Sequence, residues 1–281
     1  MITIQNVQEC INSLEAIDPN DPSALESAQA AFQKMGKILY LALDLPPKLV
    51  VFHTRTNNND ELYKVFSDIE CPKPEHVKNF GRCNFPFKPV FYCSEDRSTS
   101  YAELLQYWVE QKKDKFLYVT ISKWQIESQL KVLIIPNPDK DSRTSDFDKN
   151  HGAAFDRHLE QMDNSEARDA LIMFFKYIYE KMRKPAKDDL KTYIITSSYC
   201  DYALSSSQQH IDAILYPSVP FEGKGHNIAI RYDFDFKNNM TLIAVYRDKF
   251  ERIDSDSIPK FKQIQLLEAS NLDDEHGTIT W

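Results

Sequence analysis

Residues 81–105 read GRCNFPFKPVFYCSEDRSTSYAELL, and this stretch carries the strongest signal for both the fold and a site. One of only six glycines precedes Arg82, a tyrosine follows ten residues later, and Glu103 lies eleven residues beyond it. Glycine lets a backbone bend or approach another group closely, and an arginine beside such a bend can offer a fork of donors to phosphate or ribose oxygens. Tyr92 presents a flat ring for stacking, and a carboxylate at position 103 can stabilise a developing sugar cation.

Each of these residues also has a purely structural interpretation. Ser100 and Glu103 have the S-x-x-E spacing of a capping box, in which the glutamate only caps a helix. Tyr92 on a predicted strand fits a half-buried core tyrosine, and Arg82 alone fits a surface ion pair. The spacing leaves both interpretations open.

Strand and helix patterns alternate in groups around this stretch, which is typical of an α+β protein. Apolar residues at helical spacing predict helices over 5–15 and 22–43, and again from Phe155 to Lys184. The polar segment 137–152 is predicted to be a loop. Runs of β-branched and aromatic residues predict strands over 49–55, 88–94, 115–122, 131–136, 192–196, 211–217, 226–234 and 240–248.

Composition limits the classes of partner and environment. The 281-residue chain has a net charge of −8, which argues against nucleic acid as a partner. Its five cysteines are odd in number and form no CxxC pair, so we expect reduced thiols, neither disulfides nor a zinc site, and a cytoplasmic protein. No run of about 18 apolar residues and no leader-like N-terminus is present, so we expect no membrane association.

The opening stretch closely resembles the core motif of RES-domain proteins, a family named for its Arg, Glu and Ser residues. A second block, IDAILYPSVPFEGKGHNIAI at 211–230, resembles the late segment of that family, and VFHTR at 51–55 resembles its opening strand. The resemblance spans roughly residues 48–235 and is weak over 137–185. It divides the chain into an N-terminal helical extension (1–47), a RES domain with a loop-plus-helical insertion at 137–185 (48–250) and a C-terminal tail (251–281).

The resemblance implies an ADP-ribosyltransferase-like fold with a mixed β-core, and NAD as substrate with no metal. It implies that Arg82 holds the phosphate or ribose side of NAD, Tyr92 stacks on the nicotinamide and Glu103 stabilises the ribosyl cation. Cys83 and Ala213 depart from the family pattern, which usually has an aromatic residue and a glycine there. The resemblance further implies four substrate-binding residues: Arg55, Asn84, Ser218 and Asn227.

Three functions follow as alternatives. The first is cleavage of the nicotinamide–ribose bond of NAD by hydrolysis or phosphorolysis, as a growth-arresting toxin or defence effector. The second is protein ADP-ribosylation, and the third is a non-catalytic nucleotide-binding module. The family resemblance also implies a cognate antitoxin protein as partner. The sequence does not indicate an oligomeric state.

Overall fold

The computed structural model of the chain describes residues 2–35, 40–111, 114–184, 189–206, 210–218, 225–253 and 260–281. The strands are Leu41–Leu45 (β1), Leu49–Thr56 (β2), Val90–Ser94 (β3), Phe116–Ile126 (β4), Leu130–Ile134 (β5), Ala213–Pro217 (β6), His226–Arg231 (β7), Met240–Ile253 (β8), Lys260–Glu268 (β9), Asn271–Asp273 (β10) and Thr278–Thr280 (β11). The α-helices are Ile4–Glu15 (α1), Ala24–Lys34 (α2), Arg97–Gln111 (α3), Asp146–Glu160 (α4), Ser165–Arg183 (α5), Leu190–Ser206 (α6) and Phe236–Asn239 (α7).

Nine of the strands form one twisted layer in the order β1-β5-β6-β7-β3-β2-β4-β8-β9, and β10 and β11 form a separate hairpin. The β5–β6 pair is parallel, whereas the other neighbours in the large sheet are antiparallel. The predicted α+β class with a mixed sheet is therefore confirmed. Within the described ranges, no helix is long and apolar enough to cross a membrane.

The N-terminal helices share a core with the rest of the fold. Helix α1 begins after Thr3, whose hydroxyl accepts a hydrogen bond from the backbone N–H of Asn6. In α2, the ring of Phe32 packs against Phe174 of α5 and Tyr199 of α6, with centroid separations of 6.4 and 5.9 Å. The first two helices thus cover the same sheet face as α5 and α6.

The helix predicted over 22–43 is wrong at its C-terminal end. Helix α2 ends at Lys34, and positions 36–39 of the predicted helix lie outside the described residues. Leu41–Leu45 forms β1 instead and pairs with β5 from Leu45↔Leu130 to Leu41↔Ile134. Pairing with β5 satisfies backbone groups that a helix would have satisfied internally.

The strand predicted at 192–196 is also wrong, because this segment lies inside α6. Asp189 begins the helix by accepting the backbone N–H of Thr192 at 2.9 Å. Residues from Ile194 to Cys200 are buried on every side between α2, α5 and the sheet. Burial all round removes the alternation that separates helix from strand, so the β-branched composition was misleading.

The predicted loop at 137–152 is shorter than expected. Helix α4 begins at Asp146, after Ser145 accepts the backbone N–H of Asp148 at 3.0 Å. Buried Phe147 lies in its first turn, so the polar composition of the segment concealed a helix start.

The C-terminal segment is built into the fold rather than trailing from it. Strand β9 extends the large sheet, and the β10–β11 hairpin contacts the chain that follows β2. The indole N–H of Trp281 donates to the carbonyl of Tyr63 at 2.7 Å, and Val65 bridges to Thr278. The hairpin therefore holds residues 63–66 in place.

A Phe32→Ala substitution tests whether the N-terminal helices belong to the common core. The ring is fully buried, so its removal should lower the free energy of unfolding by about 3–5 kcal/mol, as for other buried phenylalanines. Urea denaturation followed by circular dichroism measures the change. The neighbouring exposed Gln33→Ala is the control, and an unchanged midpoint for Phe32→Ala would contradict a shared core.

Candidate active site

A cleft opens where two adjacent strands of the sheet part. Strands β2 and β3 share one register pair, Phe52↔Ser94. On one side of this pair the two strands separate. There β2 stays paired with β4 as far as Thr56, and β3 stays paired with β7 as far as Val90. A ring nitrogen of His53 (Nδ1) lies 2.6 Å from the carbonyl oxygen of Tyr92 and so replaces the ladder hydrogen bond lost at the fork.

The cleft has a volume of about 360 Å³. Three of the residues predicted from the sequence line it: Arg55, Asn84 and Tyr92. Its other walls come from β2, β3 and α3, and from the segment between β2 and β3, which contains the 3₁₀ turns Phe66–Asp68 and Pro74–His76. These walls include His53, Thr54, Thr56, Tyr63, Pro72, Val77, Val90 and Leu104.

The turn at 81–84 fixes one wall of the cleft. The Tyr92 hydroxyl donates to the side-chain oxygen of Asn84 at 2.9 Å and accepts the backbone N–H of Cys83 at 2.7 Å. A Cβ atom at Gly81 would lie 2.2 Å from that Asn84 oxygen and 3.0 Å from the Tyr92 hydroxyl, so any other residue would displace the Asn84 side chain. Burial raises the pKa of Tyr92 well above its usual value, so its hydroxyl stays protonated and can donate.

Arg82 does not line the cleft. Its side chain is 7% exposed and lies at the C-terminal end of α5. One terminal nitrogen donates to the carbonyls of Met182 at 2.6 Å and Lys181 at 3.3 Å, and the other donates to Lys184 at 3.3 Å. A cation at this end of a helix satisfies free carbonyls and complements the helix dipole.

Arg55 and His53 form a second polar group on the β2 side. The Nε of Arg55 donates to Nε2 of His53 at 3.3 Å, and one terminal nitrogen donates to the Glu70 carbonyl at 2.5 Å. The other terminal nitrogen has no hydrogen-bond partner within the described part of the chain. Burial, with the neighbouring Arg55 charge, lowers the pKa of His53 to about 4, so its ring is neutral near pH 7.

Ser218 and Asn227 are not among the residues that line this cleft: Ser218 follows β6, and Asn227 lies near the start of β7. Asn227 faces Ser94 across the β3–β7 ladder and accepts its hydroxyl hydrogen bond at 2.7 Å. Ser94 and Tyr92 are two residues apart on β3, so they share a face of the sheet. The Ser218 hydroxyl is fully buried and has no partner among the described residues.

Glu103 lies on α3, and the structure does not support the capping-box interpretation. The helix begins at Arg97, because Asp96 accepts the backbone N–H groups of Ser98 at 2.6 Å and Thr99 at 3.3 Å. Position 103 is therefore in the second turn, immediately before Leu104 of the cleft wall. The Glu103 side chain lies outside the described part of the structure.

Helix α3 is docked onto the sheet by two polar contacts. The Ser100 hydroxyl lies 2.8 Å from that of Thr54 on β2, one turn before Glu103. Arg97 donates to both carboxylate oxygens of buried Asp248 on β8 at 2.8 Å. These contacts hold the backbone of position 103 beside β2.

Sequence reasoning missed two polar groups around the fork of β2 and β3, one in the cleft wall and one at the end of β3. His53 lies within VFHTR, but that resemblance rested on the strand and on Arg55, so no signal singled out the histidine. Glu95 follows β3, and one of its carboxylate oxygens lies 2.6 Å from Nε2 of His226 at the start of β7. The hydrogen bond from His226 lowers the pKa of Glu95, and the nearby His151 adds to the effect.

A larger cavity lies on the other face of the sheet, with a volume of about 770 Å³. Its lining mixes aromatic residues such as Phe66, Phe91 and Trp124 with aliphatic and polar ones, and it holds none of the predicted site residues. The smaller cleft therefore remains the candidate active site, since polar donors converge there. Across the described ranges, no three His, Cys, Asp or Glu side chains cluster closely enough to hold a metal ion.

Stability should depend on pH through His53. Its pKa is about 4 in the folded chain against 6.5 when unfolded, so unfolding takes up a proton between these values and stability falls as pH falls from 6.5 to 4. Between pH 7.5 and 4.5 this loss should reach about 2–3 kcal/mol. In urea unfolding, the free energy of unfolding of the wild type should fall between pH 7.5 and 4.5 by this amount more than that of His53→Gln. The exposed His76→Gln is the control, and equal pH slopes in wild type and His53→Gln would contradict it.

Arg82→Met tests whether this arginine holds α5. Buried carbonyls would lose their donors, so the free energy of unfolding should fall by about 2–4 kcal/mol. Arg82→Lys should retain only part of this stability, because an ammonium group lacks the planar set of donors of a guanidinium. Thermal and urea unfolding measure both changes, with the exposed Arg157→Met on α4 as control. Unchanged stability combined with weaker ligand binding would instead make Arg82 a ligand residue.

Comparison with known proteins identifies the family. A family model described as the RES domain matches residues 53–248, which is more than half of the chain. The match begins at His53 on β2, ends at Asp248 on β8 and includes all seven predicted site residues. No curated protein and no solved structure matches the chain. The family match is sufficient to conclude that the chain belongs to the RES-domain family.

Proposed function

We propose that this RES-domain chain cleaves the nicotinamide–ribose bond of NAD. The observation that best supports the proposal is the polar cleft at the fork of β2 and β3, where Arg55, Asn84 and Tyr92 meet beside the helix that carries Glu103. A cleft of this kind suits a nucleotide, which needs both hydrogen-bond donors and ring contacts.

The proposed reaction uses the positive charge on the nicotinamide ring of NAD. The ring leaves as neutral nicotinamide with the electron pair of the broken C–N bond, and the ribose carbon becomes an oxocarbenium ion. Water adds to that carbon and loses one proton to solvent, which gives ADP-ribose. Phosphate in place of water would give ADP-ribose 1-phosphate.

Each residue of the proposed site has a distinct part. The Glu103 carboxylate would stabilise the oxocarbenium ion, since opposite charge nearby is worth most when it develops in the transition state. Arg55 would donate to the diphosphate through its free terminal nitrogen. The Tyr92 ring would contact the nicotinamide while its hydroxyl stays bonded to Asn84.

Three further residues would act around this centre. Ser218 and Asn227 would complete the ribose side, because a buried hydroxyl without a partner is suited to receive one from a ligand. Arg82 was predicted to bind the phosphate or ribose side directly. Its contacts with α5 instead support a positioning role, in which it fixes the turn that carries Asn84.

We further propose that the activity depletes NAD in the cytoplasm and arrests growth, as a toxin or defence effector. The family match supports this general role, and all five cysteines are free thiols, as in a reducing compartment. A neutralising antitoxin that covers the cleft would then be its partner. Expression of the wild type should arrest growth, whereas Glu103→Gln should not.

The decisive assay is nicotinamide release from NAD by the purified chain, with and without phosphate. Glu103→Gln keeps the shape of the side chain but removes its charge, so the rate should fall on the order of 10²- to 10³-fold. Glu9→Gln, on the exposed face of α1, is the matched control and should release nicotinamide at the wild-type rate.

The products separate the alternatives. Free ADP-ribose indicates hydrolysis, and a phosphate-dependent rate indicates phosphorolysis. Radiolabel from NAD retained on a protein would instead identify an ADP-ribosyltransferase that uses the same cleft. Equal release by wild type and Glu103→Gln would overturn the assigned role of Glu103, and no turnover by a folded chain would favour a binding module.

A further inference from the structure

Two of the five free thiols lie against each other beside the candidate active site. The thiol of Cys200 on α6 is a hydrogen-bond partner of the thiol of Cys83 in the 81–84 turn. The Cys200 sulfur also lies 3.9 Å from the carbonyl oxygen of Arg82, the residue before Cys83. The fold therefore brings two sulfur atoms into contact from segments that are far apart in the sequence.

The other three cysteines lie in different surroundings. Cys93 points into the core on the opposite face of the sheet, where its thiol donates to the carbonyl of Ile228 at 3.6 Å. Cys71 lies near the guanidinium of Arg55, and Cys10 is buried on α1. A disulfide requires two sulfur atoms that can approach to about 2 Å, and the contacting pair needs the least movement to reach that distance.

A pocket of about 290 Å³ gives access to Cys83. Part of its wall comes from Asp201 and Leu204 of α6, and Asn84 and Val90 line both this pocket and the cleft. The pocket therefore lies behind a wall of the cleft. A hydroperoxide as small as hydrogen peroxide needs little more space than a water molecule, so it can reach Cys83 through this pocket.

The positions of the two thiols assign them different parts in an oxidation. Cys200 is fully buried, and burial raises its pKa well above the usual value, so Cys83 at the pocket is the thiol that meets the oxidant. The Cys83 sulfur attacks one oxygen of hydrogen peroxide, the O–O bond breaks, and a sulfenic acid and water form. The Cys200 sulfur then attacks the sulfenic sulfur, and the hydroxyl leaves with the Cys200 proton as a second water. Two thiols lose two electrons and two protons, and one peroxide is reduced to two waters.

We propose that Cys83 and Cys200 are a thiol pair that a hydroperoxide oxidises to a disulfide, which links the turn in the cleft wall to α6. The linked turn is the one whose Cys83 backbone N–H donates to the Tyr92 hydroxyl at 2.7 Å. The dithiol is the form that a reducing compartment maintains, and the disulfide forms when peroxide is present. This inference does not depend on the reaction proposed for the cleft.

Peptide mapping of the folded wild type tests the pairing. The purified, reduced chain is treated with hydrogen peroxide, and the remaining thiols are then alkylated with N-ethylmaleimide in urea before digestion. Chymotrypsin can cut after Phe87 and Tyr92, which places Cys83 and Cys93 on different peptides. Mass spectrometry should detect one cross-link, between the peptides of Cys83 and Cys200, with the loss of two hydrogen atoms. The other three cysteines should be recovered outside any disulfide.

Thermal unfolding with and without peroxide measures the effect of the link. The disulfide should raise the melting temperature by roughly 4–10 °C, because it closes a long loop of the unfolded chain. Dithiothreitol should reverse the increase. Cys83→Ser and Cys200→Ala should each abolish the cross-link and the increase, and each variant is compared with its own reduced form. Cys71→Ser is the matched control and should retain both, since Cys71 is partly exposed and lies away from the pair.

Three outcomes would overturn the proposal. One is a folded chain that gives no Cys83–Cys200 cross-link with peroxide while the urea-unfolded chain does, which would mean that the buried contact is closed to the oxidant. Another is a disulfide that contains any of the other three cysteines in place of this pair. The third is a cross-link that leaves the melting temperature unchanged or lowers it, which would exclude a link that holds the turn against α6.

Discussion

The hydrogen bond between the His53 ring and the carbonyl of Tyr92 lies at the fork of the sheet, and the arrangement of the site depends on it. Two strands that part inside a sheet expose backbone groups that must find other partners. On the β3 side, the imidazole of His53 is the hydrogen-bond partner of the Tyr92 carbonyl. On the β2 side, the same ring accepts a hydrogen bond from Arg55. A neutral, buried histidine thus joins the two strands and orients a cation at the mouth of the cleft.

The opposite wall is held by a chain of contacts that reaches the far helices. Tyr92 is tied to Asn84, the 81–84 turn is anchored through Arg82, and Arg82 holds the end of α5. The insertion that contains α4 and α5 is thereby connected to the cleft, although it matches the family pattern weakly. Loss of the insertion would therefore remove a support of the site as well as a surface element.

The sequence predicted seven of the nine strands of the large sheet, because strands such as β2, β3 and β6 to β8 carry dense β-branched and aromatic runs. It assigned β1 to a helix and did not predict β9, whose sequence is mostly polar and charged. It misassigned α6, where complete burial removes the periodicity that distinguishes a helix. The partner of Arg82 could not be predicted, since the carbonyls it contacts are about 100 residues away and carry no side-chain signal. His53 was missed for a related reason, because its importance comes from the fork and not from a motif.

The single register pair between β2 and β3 also has a mechanical consequence. The large sheet consists of one part with five strands and one part with four. The two parts are joined at the single register pair between β3 and β2. Rotation of one part against the other at this junction would widen the cleft and break few hydrogen bonds between β2 and β3. A fully paired junction would resist such a rotation. Helix α3 contacts β2 and β4 in the four-stranded part and β3 and β7 in the five-stranded part. It therefore bridges the junction between the two parts. Because position 103 is part of α3, a rotation that widens the cleft would also shift the backbone at position 103.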